Sequence, residues 1–313
     1  EPPASDRLQA VPPGRPFRFC AGRPFQKPAR PETVATGTGQ RGNGGVQIEI
    51  DVRMRYALGP DRAVFLTLEA ARLPGQIVID DTLDLNAEWI DRIPAEGGTG
   101  TRIAAVMEDQ TMSLRYRARV EITRPAPPLG SLGMLPWHRL SGDALSYLRP
   151  SRFCQSDLFI DFVAWQFGAF EAGAKVQAIR DWVAAEMRYV PGASTAATTA
   201  LDTFASREGV CRDYAHMVCA LARAAEIPAR YASVYGPGVD PMDFHAVAQV
   251  WLEGDWHIVD ATGMTTSDEA VVIATGRDAC DVAFMESRSM AMLDTQSVAV
   301  RLRSPGWHGR VHL

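Results

Sequence analysis

Val46, Ile48, Ile50, Val52, Met54 and Tyr56 alternate with Gln47, Glu49, Asp51, Arg53 and Arg55. Alternation of period two predicts a strand with one buried and one wet face. The same pattern returns at Met112, Leu114, Tyr116, Ala118, Val120 and Ile122, with Arg115, Arg117 and Arg119 on the polar side. Shorter candidates lie between them, at Val64–Leu68, Ile77–Leu85, Trp89–Ile93 and Ile103–Glu108. Gly/Pro turns such as Leu58-Gly59-Pro60 and Leu73-Pro74-Gly75 separate them. Short strands with regular turn signals predict an antiparallel β-sandwich-like domain over residues 46–124. Its arginine row reads as the solvated face of a strand rather than a binding stripe.

Beyond Pro125-Ala126-Pro127-Pro128 the period changes. Consecutive prolines exclude helix and central strand, so 125–150 reads as a linker and connecting segment. Val176, Ile179, Val183 and Met187 then recur at helical spacing, predicting a helix over Ala174–Tyr189 that Pro191-Gly192 stops. A second helix is expected from Cys211 to Ala225, with strands at Tyr231–Tyr235, His245–Leu252 and Trp256–Asp260. Residues 151–303 therefore read as an α+β core.

The first 45 residues differ from both regions. Eight prolines fall before position 32 and five glycines between Gly37 and Gly45. Such a segment buries too little apolar surface to offset its conformational entropy and is expected to be a flexible tail, as is 304–313. It has no apolar h-region of a signal peptide. The chain starts at Glu1 rather than Met, which leaves a processed start open.

Composition narrows the function classes. Of 313 residues, 46% are hydrophobic and 22% charged, which fits a folded protein rather than a disordered or collagenous one. No apolar run reaches the roughly 18 residues of a membrane span. A net charge of −5 gives no global attraction to phosphate backbones or anionic lipid. The reading is a soluble, cytoplasmic protein without nucleic-acid or membrane partners. Five cysteines in a chain of this length are not a disulfide framework.

Among them Cys211 stands apart. It follows Gly209-Val210 where a helix begins. Free N–H groups and the positive end of the helix dipole favour a thiolate there and can hold a developing oxyanion. A thiol nucleophile also needs a base, and the base needs an orienting group. The run His245–Asp260 supplies both if Glu253-Gly254 is a two-residue hairpin turn. Leu252 then faces Asp255, Trp251 faces Trp256, Gln249 faces Ile258 and Val247 faces Asp260. This register puts His245 and Asp260 on one face as diagonal neighbours, and a slip of one residue would separate them. His257 falls on the opposite face. His216 lies about 140° round the helix from Cys211, which also defeats a metal site built from Cys211, His216 and Cys219. There is no CxxC pair, P-loop or GxGxxG turn in strand–helix context, and no acidic calcium loop; neither a metal nor an organic cofactor is expected.

Gly209-Val210-Cys211-Arg212-Asp213-Tyr214-Ala215-His216, then His245, then Trp256-His257-Ile258-Val259-Asp260-Ala261-Thr262, resembles the transglutaminase-like superfamily of cysteine enzymes. Tyr189-Val190-Pro191-Gly192-Ala193-Ser194 and Tyr147-Leu148-Arg149-Pro150-Ser151 are similar to bacterial transglutaminase-like candidate cysteine proteases, which carry a β-rich domain ahead of the core. The resemblance implies a papain-like core with Cys211 as nucleophile, His245 as base and then acid, and Asp260 as its orienting partner. It implies acyl transfer from a peptide or protein amide through a thioester, with protease- or amidase-like hydrolysis favoured over crosslinking. A non-catalytic interaction module on the same fold is the alternative. In the wider superfamily an upstream side chain assists the oxyanion hole. Tyr189 is the candidate here, its neighbourhood fitting a helix-ending core tyrosine equally well. Arg212 and Asp213 read as braces of the loop.

Overall fold

The computed structural model describes residues 45–303. The tail expected over residues 1–45 lies outside them except for Gly45, as does the end expected from residue 304. Six strands come first: β1 (Val46–Leu58), β2 (Ala63–Leu66), β3 (Gln76–Leu85), β4 (Ala87–Pro94), β5 (Thr101–Met107) and β6 (Thr111–Ile122). Then follow α1 (Gly142–Ser146), α2 (Ile160–Phe167), α3 (Ala172–Glu186), β7 (Arg188–Tyr189), α4 (Ala200–Ser206), β8 (Glu208–Gly209) and α5 (Cys211–Ala224). The chain continues through β9 (Ala229–Tyr235), β10 (His245–Leu252), β11 (Asp255–Val259), β12 (Val271–Gly276), β13 (Met285–Ser287) and β14 (Ala291–Arg303).

Two antiparallel sheets, ordered β14-β1-β6-β3 and β13-β2-β5-β4, make the sandwich. The alternation along β1 and β6 turns Ile48, Val52, Met112, Tyr116 and Val120 inward, where they meet Leu66, Ile103 and Met107 of the second sheet. Burying each such side chain contributes roughly 1.5–3 kcal/mol. The polar row faces water as expected: Arg115 pairs with Asp51 at 2.6 Å across β6 and β1, and Arg119 with Asp80 of β3. Exposed pairs of this kind contribute little to stability.

The C-terminal strands return to this sandwich. β14 pairs along nearly the whole of β1, from Gln47↔Arg303 to Leu58↔Ala291, and β13 pairs with β2. Residues 285–303, expected in the α+β core, thus hydrogen-bond into the N-terminal sheets. The signal in β14 is short: only Val298 and Val300 are buried along it, so periodicity alone does not mark its partner.

In the core, α5 lies against a four-stranded antiparallel sheet ordered β11-β10-β9-β12. It is buried from Asp213 to Arg223, with Met217, Val218, Leu221 and Ala222 packed on Ala248, Val250 and Leu252 of β10. Tyr231, Tyr235, Ala246, Val271 and Ile273 join the sandwich core instead, so one apolar interior runs from the β sandwich into the α+β core. Gln76 stitches the seam, donating to Ala71 O at 2.7 Å and Val272 O at 2.8 Å while accepting from Val272 N at 2.7 Å.

The helix expected to reach Tyr189 ends at Glu186. Met187 is extended, and Arg188 and Tyr189 form a short parallel pair with Glu208 and Gly209. Pairing with β8 stops this helix before Pro191-Gly192 can. Among the described residues no helix is long and apolar enough to cross a membrane.

Candidate active site

Cys211 is the first residue of α5 and half-buried. Its backbone is fixed from both sides. Val210 N–H donates to Asp213 Oδ2 at 2.8 Å, and Asp213 N–H returns to Val210 O at 2.8 Å. A Cβ on Gly209 would stand 2.6 Å from the Asp213 Cβ, so only glycine allows the chain to approach the first turn this closely. Arg212 holds Thr195 O at 2.6 Å and Asp213 Oδ1 at 3.2 Å. Arg212 and Asp213 brace the loop, and α5 presents the sulfur at its N-terminal end.

The hairpin has the expected register: Leu252↔Asp255, Trp251↔Trp256 and Gln249↔Ile258. Glu253 and Gly254 both have positive φ, 53° and 89°, the backbone of a primed two-residue turn. The register brings His245 and Asp260 together, with Nε2 of the imidazole 3.0 Å from Oδ2 of the carboxylate. Both side chains are almost wholly enclosed. Nδ1 of His245 has no hydrogen-bond partner among the described residues, while the Cys211 side chain lies within interaction range of the ring.

Burial disfavours the charged ring, but Asp260 and then Cys211 outweigh it and raise the His245 pKa to about 9. Burial likewise pushes Asp260 up. Its bonds to His245 and Thr262 outweigh that and hold it below the usual carboxylate range. Burial raises the thiol pKa of Cys154 and Cys219, and burial together with Asp278 raises that of Cys280.

Asp260 is held by more than the histidine. Thr262 N–H and Oγ1–H donate to Oδ1 at 2.8 and 2.7 Å, and Thr265 N–H donates to Oδ2 at 3.0 Å. Thr262 thus holds the Asp260 carboxylate in place, a part the sequence alone does not assign to it. Its signal was the Asp-x-Thr spacing, in which an Asp side chain accepts the N–H two residues on.

Tyr189 also comes to the site, on a strand rather than at a helix end. Pairing of β7 with β8 sets it opposite Gly209. Its phenol stands close to Cys211, and its ring leans on Tyr214 at 6.0 Å. Burial, then the neighbouring Cys211, pushes its pKa up to about 12, so the hydroxyl keeps its proton.

The competing histidines stand elsewhere. His216 is enclosed between Phe153 and Tyr231, with ring centroids 5.3 and 5.2 Å away, and its Nε2 accepts from Ala279 N–H at 3.2 Å. Burial lowers its pKa to about 4, keeping it neutral. His257 Nε2 lies 3.1 Å from Leu252 O. Among the described residues no three or more His, Cys, Asp or Glu side chains are grouped to hold a metal ion.

Comparison with known proteins agrees with this geometry. The sequence profile of the transglutaminase-like superfamily matches residues 166–261. The crystal structure of a candidate cysteine protease from Cytophaga hutchinsonii is 32% identical and superposes with a TM-score of 0.78, covering 84% of this chain and 92% of that one. An uncharacterized protein of Mycobacterium leprae is 30% identical over 117 residues, covering 34% of this chain and 42% of that protein. One from Mycobacterium tuberculosis is 26% identical over 200 residues, covering 55% and 63%. The match thus spans less than two thirds of either mycobacterial relative. The chain belongs to the transglutaminase-like superfamily, a family of cysteine-dependent enzymes.

Proposed function

We propose that the protein is a cysteine-dependent acyl-transfer enzyme that hydrolyses amide or peptide bonds through a thioester. The observation that carries this reading is the enclosed His245–Asp260 pair, whose free Nδ1 is on hand for a thiol at a helix start. In this scheme the Cys211 thiolate adds to the substrate carbonyl carbon. The oxygen takes the negative charge, facing the N–H groups of the first turn of α5 and the Tyr189 hydroxyl. The C–N bond then breaks, and the amine leaves with the Nδ1 proton of the His245 imidazolium. Neutral His245 next takes a proton from water, whose hydroxide adds to the thioester carbon. Collapse releases the carboxylic acid and regenerates the thiolate–imidazolium pair. Asp260 stays ionised throughout and fixes the ring.

A peptide or protein amide is the substrate class of this proposal, and the cytoplasm its setting; four free cysteines among the described residues suit a reducing compartment. Mass spectrometry of a peptide library incubated with and without a primary amine tests the reaction. Hydrolysis predicts cleaved or deamidated peptides in both samples. Amine adducts replacing them would point to transamidation, and unchanged peptides would remove the proposal.

The pH profile has a defined sign. The folded-state pKa of His245, about 9, lies above the ordinary 6.5. The imidazolium is therefore fully present below the ordinary value and lost as pH rises through about 9. The alkaline limb of kcat/KM is expected near pH 9, since the leaving amine needs that proton. A limb near 6.5 would show that Asp260 does not hold the charge.

A further inference from the structure

The outer face of the sheet β14-β1-β6-β3 carries a groove of about 810 Å³, away from the triad. Most arginines of this face are paired. Arg115 and Arg53 hold Asp51 at 2.6 and 3.4 Å, Arg119 holds Asp80, and Arg303 reaches Glu49 at 3.8 Å. Arg117 and Arg301 also line the groove, but are exposed and make no hydrogen bond or ion pair among the described residues. The register gives the reason. Arg117 stands opposite Asp51, whose two oxygens Arg115 and Arg53 already engage. Arg301 stands opposite Glu49, which pairs with Arg303 instead. Beside these cations the side chains are short: Thr82 faces Arg117 from β3, and Ala299 and Ser297 precede Arg301 on β14. One unpaired guanidinium on an open surface is simply hydrated. Two lining a single groove, with the neighbouring carboxylates engaged, make a site for anions.

We propose that this groove binds an extended acidic peptide segment of another protein, with carboxylates spaced to meet Arg117 and Arg301. The spacing favours such a ligand over a compact polyanion. β1 runs between the two arginines and places Glu49 and Asp51 there. Across two strand spacings and one two-residue step, the Cα atoms of Arg117 and Arg301 stand roughly 12 Å apart. Contiguous phosphates would meet the carboxylates of β1. Two acidic residues four positions apart on an extended chain, roughly 13 Å, reach both guanidinium groups with neutral residues over β1. The proposal is independent of the acyl-transfer reading, since neither arginine belongs to the site around Cys211. It gives the β sandwich a binding role.

Fluorescence anisotropy on the full chain tests it. The probe is a rhodamine-labelled peptide with glutamate at every fourth position and glycine and serine between. The glutamate peptide is expected to bind, more weakly as salt rises, and its glutamine counterpart is not. An exposed ion pair changes affinity by up to about fivefold. Arg117→Gln and Arg301→Gln are each expected to weaken binding about fivefold, and the two together about 25-fold. Thermal melts should not move, because both side chains are exposed and unpaired. Equal binding of the glutamine peptide, no binding of either, or an affinity indifferent to both replacements overturns the proposal. So does displacement of the probe by inorganic tripolyphosphate at lower concentration than by unlabelled glutamate peptide, which would assign the groove to compact polyanions. Iodoacetamide labelling of Cys211 should be the same in every variant, so failure here leaves the acyl-transfer reading untouched.

Discussion

Cys211→Ala is expected to lower amide hydrolysis by on the order of 10⁵–10⁶ while the chain stays folded. In the scheme drawn from the geometry no second group can take over bond formation. Losing the nucleophile of a triad costs about as much as losing the whole triad. The fold should tolerate the change because Cys211 is only half-buried and the anchors of its loop, Gly209, Asp213 and Arg212, remain. Steady-state hydrolysis beside a thermal melt checks both halves. Substantial residual activity in a folded variant would place the chemistry elsewhere.

Asp260→Asn is expected to reduce kcat by about 10³–10⁴, as removal of the charge behind a catalytic histidine does in other triads. The carboxylate accepts four hydrogen bonds, from His245, Thr262 (two) and Thr265, and an amide oxygen cannot replace both oxygens. The alkaline limb should move from near 9 toward the ordinary histidine value. Asp260→Ala should in addition destabilise the fold by about 3 kcal/mol, since it strands a buried partner. That stabilisation is present above the ordinary carboxylate pKa and lost as pH falls through the lowered value of Asp260. A pH–rate profile and a pH series of thermal melts read the two effects separately. A variant with intact kcat would remove Asp260 from the mechanism.

The site was legible because its parts are local. Gly209-Val210-Cys211 marks a helix start, and Glu253-Gly254 fixes a register from which the meeting of His245 and Asp260 follows by counting. β1 and β6 were equally plain, each with a long uninterrupted alternation. What escaped was long-range. β14 pairs with a strand more than 230 residues earlier in the chain, and nothing in its own composition names that partner. The end of α3 and the place of Tyr189 depend on pairing with β8, a contact between segments 20 residues apart. Thr262 stands two residues after Asp260 in the sequence, but its two bonds to Asp260 appear only when the loop after β11 closes.

The central claim is that Cys211 is an activated thiol and the other cysteines are not, and alkylation tests it most directly. Iodoacetamide at near-neutral pH, followed by mapping of all five cysteines, is expected to label Cys211 preferentially, ahead even of the exposed Cys280. His245→Ala should abolish that preference by removing the base of the proposed catalytic pair. Uniform labelling, labelling of Cys280 first, or a Cys211 rate indifferent to His245→Ala would contradict the account.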